Sequence, residues 1–131
     1  MYEEILKIIV AILLGGIIGI ERKKHHKPTG FRTLALVSLG ACLATILALN
    51  HFPNDTGRVI AGILTGIGFL GAGAIISVGK DVVGLTTAAS IWATAIIGMV
   101  IGMGDYVLAV ISVLIALLLL DFNIFWNKLK K

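Results

Sequence analysis

Charge is absent from four long stretches of this chain, and nothing else in the sequence constrains it as much. No Asp, Glu, Lys or Arg occurs in 33–54, 59–79, 82–104 or 106–120, runs of 22, 21, 23 and 15 residues. A bilayer core takes about 20 apolar residues as helix. The charged residues gather between these runs, so the chain reads as a membrane protein whose chemistry sits at the two membrane faces. The expected fold is all-α, a polytopic bundle of about five transmembrane helices.

Composition agrees. Hydrophobic residues make up 58% of the 131 residues and the mean hydropathy is +1.04, far above a soluble domain of this size. One transmembrane domain over residues 1–131 uses the whole length, and no soluble C-terminal domain is expected. The net charge of +4 comes from 11 basic and 7 acidic residues. No aromatic-interleaved basic patch or nucleic-acid-binding module accompanies it, so nucleic acid is not an expected partner, and the basic residues are better explained by membrane topology. Cys42, the only cysteine, lies inside an apolar run and reads as a small packing residue. Glu3 and Glu4 stand where a signal peptide would carry basic residues.

Five spans are expected, at about Ile5–Ile20, Thr33–Leu49, Val59–Val78, Leu85–Ile101 and Tyr106–Leu120. The first is short, because only 13 residues separate Lys7 from Glu21, and Lys7 would have to snorkel to the headgroups. Short connections force neighbouring spans antiparallel. Nine Lys and Arg residues (Arg22, Lys23, Lys24, Lys27, Arg32, Lys80, Lys128, Lys130, Lys131) then fall on one face, against two (Lys7, Arg58) on the other. The positive-inside bias puts the nine and the C-terminus in the cytoplasm and the N-terminus outside. Phe122, Phe125 and Trp126, followed by lysines, read as an interfacial belt against anionic lipid. Gly30-Phe31-Arg32-Thr33-Leu34-Ala35 and Gly84-Leu85-Thr86-Thr87-Ala88-Ala89 share a pattern at two helix starts, with Thr a candidate cap. Together they suggest two helical hairpins running the same way plus a fifth helix.

The third span holds Gly62, Gly66, Gly68, Gly71 and Gly73. A dinucleotide fingerprint is excluded at Gly66-x-Gly68-x-x-Gly71, since no soluble strand precedes it and no helix N-terminus is free. Each glycine costs about 1 kcal/mol relative to alanine in a helix, and close backbone approach between helices offsets this in lipid. Gly62/Gly66, Gly15/Gly19 and Gly98/Gly102 are all GxxxG pairs. The third span is therefore expected at the centre of the bundle, packed through its five glycines. The other reading is a broken helix whose freed carbonyls bind a cation.

The clearest spans carry no ionisable residue at mid-depth, which argues against a proton-coupled pump. Their polar groups are hydroxyls (Ser38, Thr45, Thr65, Ser90, Thr94, Ser112), best used on helix backbone or between helices. At the cytoplasmic rim a Glu21–Arg32 ion pair is expected, clamping the first hairpin. At the outer rim Asp55 and Arg58 are three apart at a helix start and pair locally. Mg²⁺ prefers carboxylates and retained water, which Glu21 with Asp81, or Asp55 with Asp105, could supply. His25 and His26 read as solvated or lipid-facing. No nucleophile–base arrangement, phosphate loop or zinc spacing is present, so an enzyme is not expected, nor a cofactor beyond Mg²⁺ as a candidate ion.

Several strings are specific. They are Gly15-Gly16-Ile17-Ile18-Gly19-Ile20-Glu21-Arg22, Gly30-Phe31-Arg32-Thr33, Leu36-Val37-Ser38-Leu39-Gly40-Ala41, Asp55-Thr56-Gly57-Arg58-Val59-Ile60-Ala61, Thr65-Gly66-Ile67-Gly68-Phe69-Leu70-Gly71-Ala72-Gly73 and Gly84-Leu85-Thr86-Thr87-Ala88-Ala89-Ser90-Ile91-Trp92. In this order they resemble the membrane domain of the MgtC/SapB family. The resemblance implies a multi-pass protein of the bacterial inner (plasma) membrane, tied to growth when magnesium is scarce. It implies Glu21, Arg22, Arg32, Thr33, Asp55, Arg58 and Thr87 as the functional polar positions. Many relatives are labelled magnesium transporters, and some act by binding membrane complexes, the F-type ATP synthase among them. Many also continue into a cytoplasmic regulatory domain, and some carry Asn where this chain has Thr86. Two functions follow: a non-enzymatic regulator in magnesium homeostasis that binds a membrane partner, or a transporter or channel for Mg²⁺ or another cation. Either suits a homo-oligomer, with a homodimer expected.

Overall fold

The first helix shows how the fold is written. In α1 (Tyr2–Lys24) the buried positions are Ala11, Gly15, Gly16, Ile18, Gly19, Glu21 and Arg22. They recur at three and four residues, so they form one stripe of mostly small side chains. Ile5, Ile9, Leu13, Ile17 and Ile20 occupy the opposite stripe and are exposed. Small residues inside and large apolar ones outside invert a soluble helix and match a lipid-facing one.

The structure is a computed structural model that describes residues 1–129. The side chain of Lys128, and Lys130 and Lys131, all part of the charge bias, lie outside the described residues. After α1 come α2 (Phe31–His51), α3 (Thr56–Ala72), strands β1 (Ile76–Val78) and β2 (Asp81–Val83), α4 (Leu85–Met103) and α5 (Tyr106–Leu129). Helices are therefore expected correctly in number. Two of them, α2 and α4, are long and apolar enough to cross a membrane by length and composition.

Helix ends are set by backbone chemistry. Gly30 is extended before α2, and Gly84 is left-handed (φ 91°) before α4. Neither Thr33 nor Thr87 caps its helix by side chain, contrary to the capping role expected of the repeated pattern. Gly104 (φ 88°) ends α4, with its N–H donating to the Ile101 carbonyl at 2.9 Å. Asp105 follows, and its Oδ1 accepts the Leu108 N–H at 3.0 Å, capping α5.

Helix α2 is the centre of the bundle, packed between α1 and α4. Glycines permit the approach. A Cβ at Gly15 would lie 2.6 Å from the Leu34 carbonyl oxygen, and one at Gly19 would lie 2.5 Å from that of Gly30. On the other side Gly98 faces the Ser38 backbone and Gly102 the Cys42 carbonyl. These pairings run α1 antiparallel and α4 parallel to α2, the sense expected of two similar hairpins. Cys42 is fully buried, as expected. Thr45 and Thr94 donate to carbonyls four residues back at 2.8 and 2.7 Å, and Ser90 to that of Thr87 at 2.7 Å. These hydroxyls satisfy helix backbone.

The third span departs from expectation in two ways. First, the helix stops at Ala72, and 76–83 form an antiparallel hairpin in the register Ile76↔Val83, Ser77↔Val82 and Val78↔Asp81. The β-branched residues flanking a Gly79-Lys80 turn, with Gly79 at φ 63°, explain it. Second, α3 lies at the side of the bundle, against α4 and more loosely α2. Gly62, Gly66 and Gly68 meet nothing within 4 Å, Gly71 makes ordinary contact with Ala88, and Gly73 meets only its own turn. Tight packing through these five glycines is therefore corrected: among the described residues only Gly71 meets another element's backbone, that of Ala88, at ordinary contact distance.

Candidate functional site

The buried stripe of α1 runs on from Gly15 and Gly19 to Arg22, one helical turn further. The stripe carries Glu21 and Arg22 into the packed end of the bundle, where they are 8% and 3% exposed. Ionised side chains this buried need partners. Arg22 Nη1 lies 3.8 Å from Glu21 Oε2, while its Nε and Nη2 make no hydrogen bond. Neither Glu21 oxygen accepts a hydrogen bond, and the buried Thr29 hydroxyl is also without one. Burial pushes the Glu21 carboxyl above the usual carboxylate range, against the pull of Arg22 and His25.

One turn after Glu21, His25 shares its face of α1. Its Nε2 lies 3.4 Å from Glu21 Oε1 and 3.1 Å from Asp121 Oδ1, which α5 supplies from across the bundle. The pair expected for Glu21 was Arg32. Instead Glu21 gathers with Arg22, His25 and Asp121. His25, expected to be solvated or lipid-facing, is half-buried between two carboxylates. Asp81 is exposed in the hairpin and stands outside the Glu21 group. His25 and Asp121 were missed as site residues. The Glu21/His25 spacing of four was a usable signal, but the Asp121 contact depends on where α5 runs.

The other expected positions separate. Arg32 and Thr33 are exposed and line one end of a cleft of about 700 Å³ between α2 and α3. Leu36, Val37, Ile63 and Ile67 make its walls, and Gly40 and Gly66 leave it open. Thr87 is buried at the start of α4, where its carbonyl accepts the Ser90 hydroxyl. Asp55 and Arg58 lie at the far end, on the first turn of α3, exposed and 3.7 Å apart, the local pair expected. Lys7 also lies at that end, 3.3 Å from Glu3. Phe122 stacks on Trp126 with ring centroids 6.4 Å apart, and Phe125 is exposed.

Apolar helices with a lipid-type exterior and charge held at the helix ends define a helical membrane protein. The MgtC family pattern matches residues 8–128, and the chain belongs to that family. It is 42% identical over 128 residues to YhiD of Escherichia coli (strain K12), a protein provisionally named a magnesium transporter, covering 91% of this chain and 60% of YhiD. It is 42% identical over 117 residues to MgtC of Salmonella typhimurium (strain LT2), covering 89% of this chain and 51% of that protein. With SapB of Bacillus subtilis (strain 168) the identity is 39% over 128 residues, 90% of this chain and 55% of SapB. The chain thus spans between half and three fifths of the length of these relatives. No solved structure matches it significantly.

Proposed function

We propose that the chain is a non-enzymatic regulator in magnesium homeostasis, acting in the bacterial inner membrane by binding another membrane protein. The observation that carries this reading is the uncovered face of α3. Gly62, Gly66 and Gly68 weaken the helix and meet nothing in their own chain. The cleft beside them is walled by apolar side chains and ends at the Arg32 guanidinium, so a foreign transmembrane helix finds both close packing and a charged end. The centre of the bundle supports the same reading. Backbones of α1, α2 and α4 meet through glycine, which leaves little room for an ion path between these three helices.

The test is photocrosslinking in native membranes from a probe at Leu36 or Leu70, both lining the cleft, with Ile9 on the far stripe of α1 as control. A defined heterologous membrane protein recovered from the cleft positions alone is the expected result. Recovery of nothing but a second copy of this chain overturns it.

Transport of Mg²⁺ or another cation is the second reading, favoured by the name of YhiD and by the carboxylates near the helix ends. Purified chain in liposomes decides it: Mg²⁺ flux above empty vesicles, reduced by Glu21→Gln or Asp55→Asn, would replace the regulator reading.

A further inference from the structure

We propose that Glu21, His25 and Asp121 form a binding site for one divalent transition-metal ion, joining the end of α1 to the last turns of α5. The geometry comes first. Nε2 of His25 lies 3.1 Å from Asp121 Oδ1 and 3.4 Å from Glu21 Oε1, and the three donor atoms all fall within 4.8 Å of one another. An ion with bonds of about 2.0–2.2 Å holds neighbouring donors about 3.0–3.5 Å apart. Two of the three sides of the triangle already have that length.

Glu21 supplies the second, independent observation. It is more than nine-tenths buried, neither of its oxygens accepts a hydrogen bond, and Oε1 is turned towards His25. A carboxylate in this state is expensive to keep ionised, and a bound cation removes that penalty directly. The chain also fixes the donors in advance. Glu21 lies in the last turn of α1 and His25 is the residue that caps it, its N–H donating to the Glu21 carbonyl at 3.3 Å, and α5 brings Asp121 to them.

The donor set selects the ion. Two carboxylates and one imidazole suit Mn²⁺, Fe²⁺ or Zn²⁺, whereas Mg²⁺ favours oxygen and held water over nitrogen. Asp121 is exposed, so water can complete the coordination. Arg22 opposes the ion, with Nη1 3.8 Å from Glu21 Oε2, and Lys24 adds to it through the field at Glu21. Two carboxylates outweigh the one guanidinium beside Glu21, which gives a site of moderate affinity. The competing reading of these distances is an imidazole, neutral or charged, whose Nε2–H donates to the carboxylates. That arrangement needs a proton on Nε2, where an ion needs the lone pair. The site is independent of the docking role proposed above, since it lies on α1 and α5 and not in the α2–α3 cleft.

Mn²⁺ is the probe, titrated into the full chain in nanodiscs and followed by the loss of the free-ion electron paramagnetic resonance signal. One ion per chain is expected, with nitrogen coupling from a single imidazole in the pulsed spectrum. Asp121→Asn and His25→Gln should each weaken binding at least about tenfold. His26→Gln should leave it unchanged, and Mg²⁺ at the same concentration should not displace Mn²⁺. Asp121 is exposed and α5 is held along its apolar length, so its variant stays folded, as helicity by circular dichroism will report. Absence of saturable binding, binding that survives both substitutions, or release by equimolar Mg²⁺ overturns the proposal.

Discussion

Glycine does opposite things on the two sides of α2. On α1 and α4, Gly15, Gly19, Gly98 and Gly102 lie where any side chain would strike the α2 backbone or the Ser38 and Thr45 side chains. On α3, Gly62 and Gly66 have the same spacing of four and, with Gly68, lie against open space. Residue type and period are shared, and the difference is whether a facing backbone arrives. A GxxxG pair marks a helix able to be approached closely. It does not say by what, and the densest run of glycines in the chain belongs to a helix at the side of the bundle, where Gly71 alone is buried.

The strongest attempt to break this comparison is Gly98→Ala. The new methyl group would meet the Ser38 carbonyl, main chain against main chain, so no rotamer change relieves it. A loss of about 2–3 kcal/mol is expected, read as a shift in reversible detergent unfolding. A neutral result would mean that α2 and α4 are not in backbone contact. Gly84→Ala comes next. Its φ of 91° disfavours any L side chain, and the added Cβ would run into the Ala74 carbonyl oxygen. About 2 kcal/mol should be lost, with the damage confined to the start of α4 in hydrogen exchange.

Much of this was legible in the sequence, and the failures share a cause. Charge-free runs located α2 and α4 to within a few residues because lipid excludes charge from helix interiors. The same criterion misread 73–78 as the end of the third span. Absence of charge describes Ile76, Val78, Val82 and Val83 in a hairpin as well as in a helix, and β-branching was the only local cue. Glu21 and Arg22 were legible as a polar terminus, but their burial follows from the stripe that Gly15 and Gly19 began. Asp121 meets His25 across 96 residues of sequence. Alternating spans already make α5 parallel to α1, but nothing within α5 announces that it packs against a helix so distant in the chain.

Gly66→Ala sharpens the comparison from the open side. A methyl group there has no atom within 4 Å to meet, and alanine is the better helix former. The isolated chain should therefore gain up to about 1 kcal/mol. The informative variant is Gly66→Leu, which should leave unfolding nearly unchanged while abolishing crosslinks from Leu36. Loss of stability in the purified chain would instead place α3 against α2 more tightly than the cleft allows. Undiminished crosslinking would remove this face from the contact surface.

The smallest effect is expected at the far end of the same helix. Asp55 and Arg58 stand on the first turn of α3, 3.7 Å apart and both exposed, so water screens the pair and two long side chains must be ordered to make it. Asp55 also meets the partial positive charge of the helix start, which the neutral amide of Asp55→Asn loses. Arg58→Ala should change stability by less than about 0.5 kcal/mol, and Asp55→Asn by no more than about 1 kcal/mol. Such mildness makes both variants clean functional probes. Loss of growth at low magnesium without loss of fold would assign Asp55 and Arg58 to recognition, on the helix where Gly62, Gly66 and Gly68 meet no described residue within 4 Å.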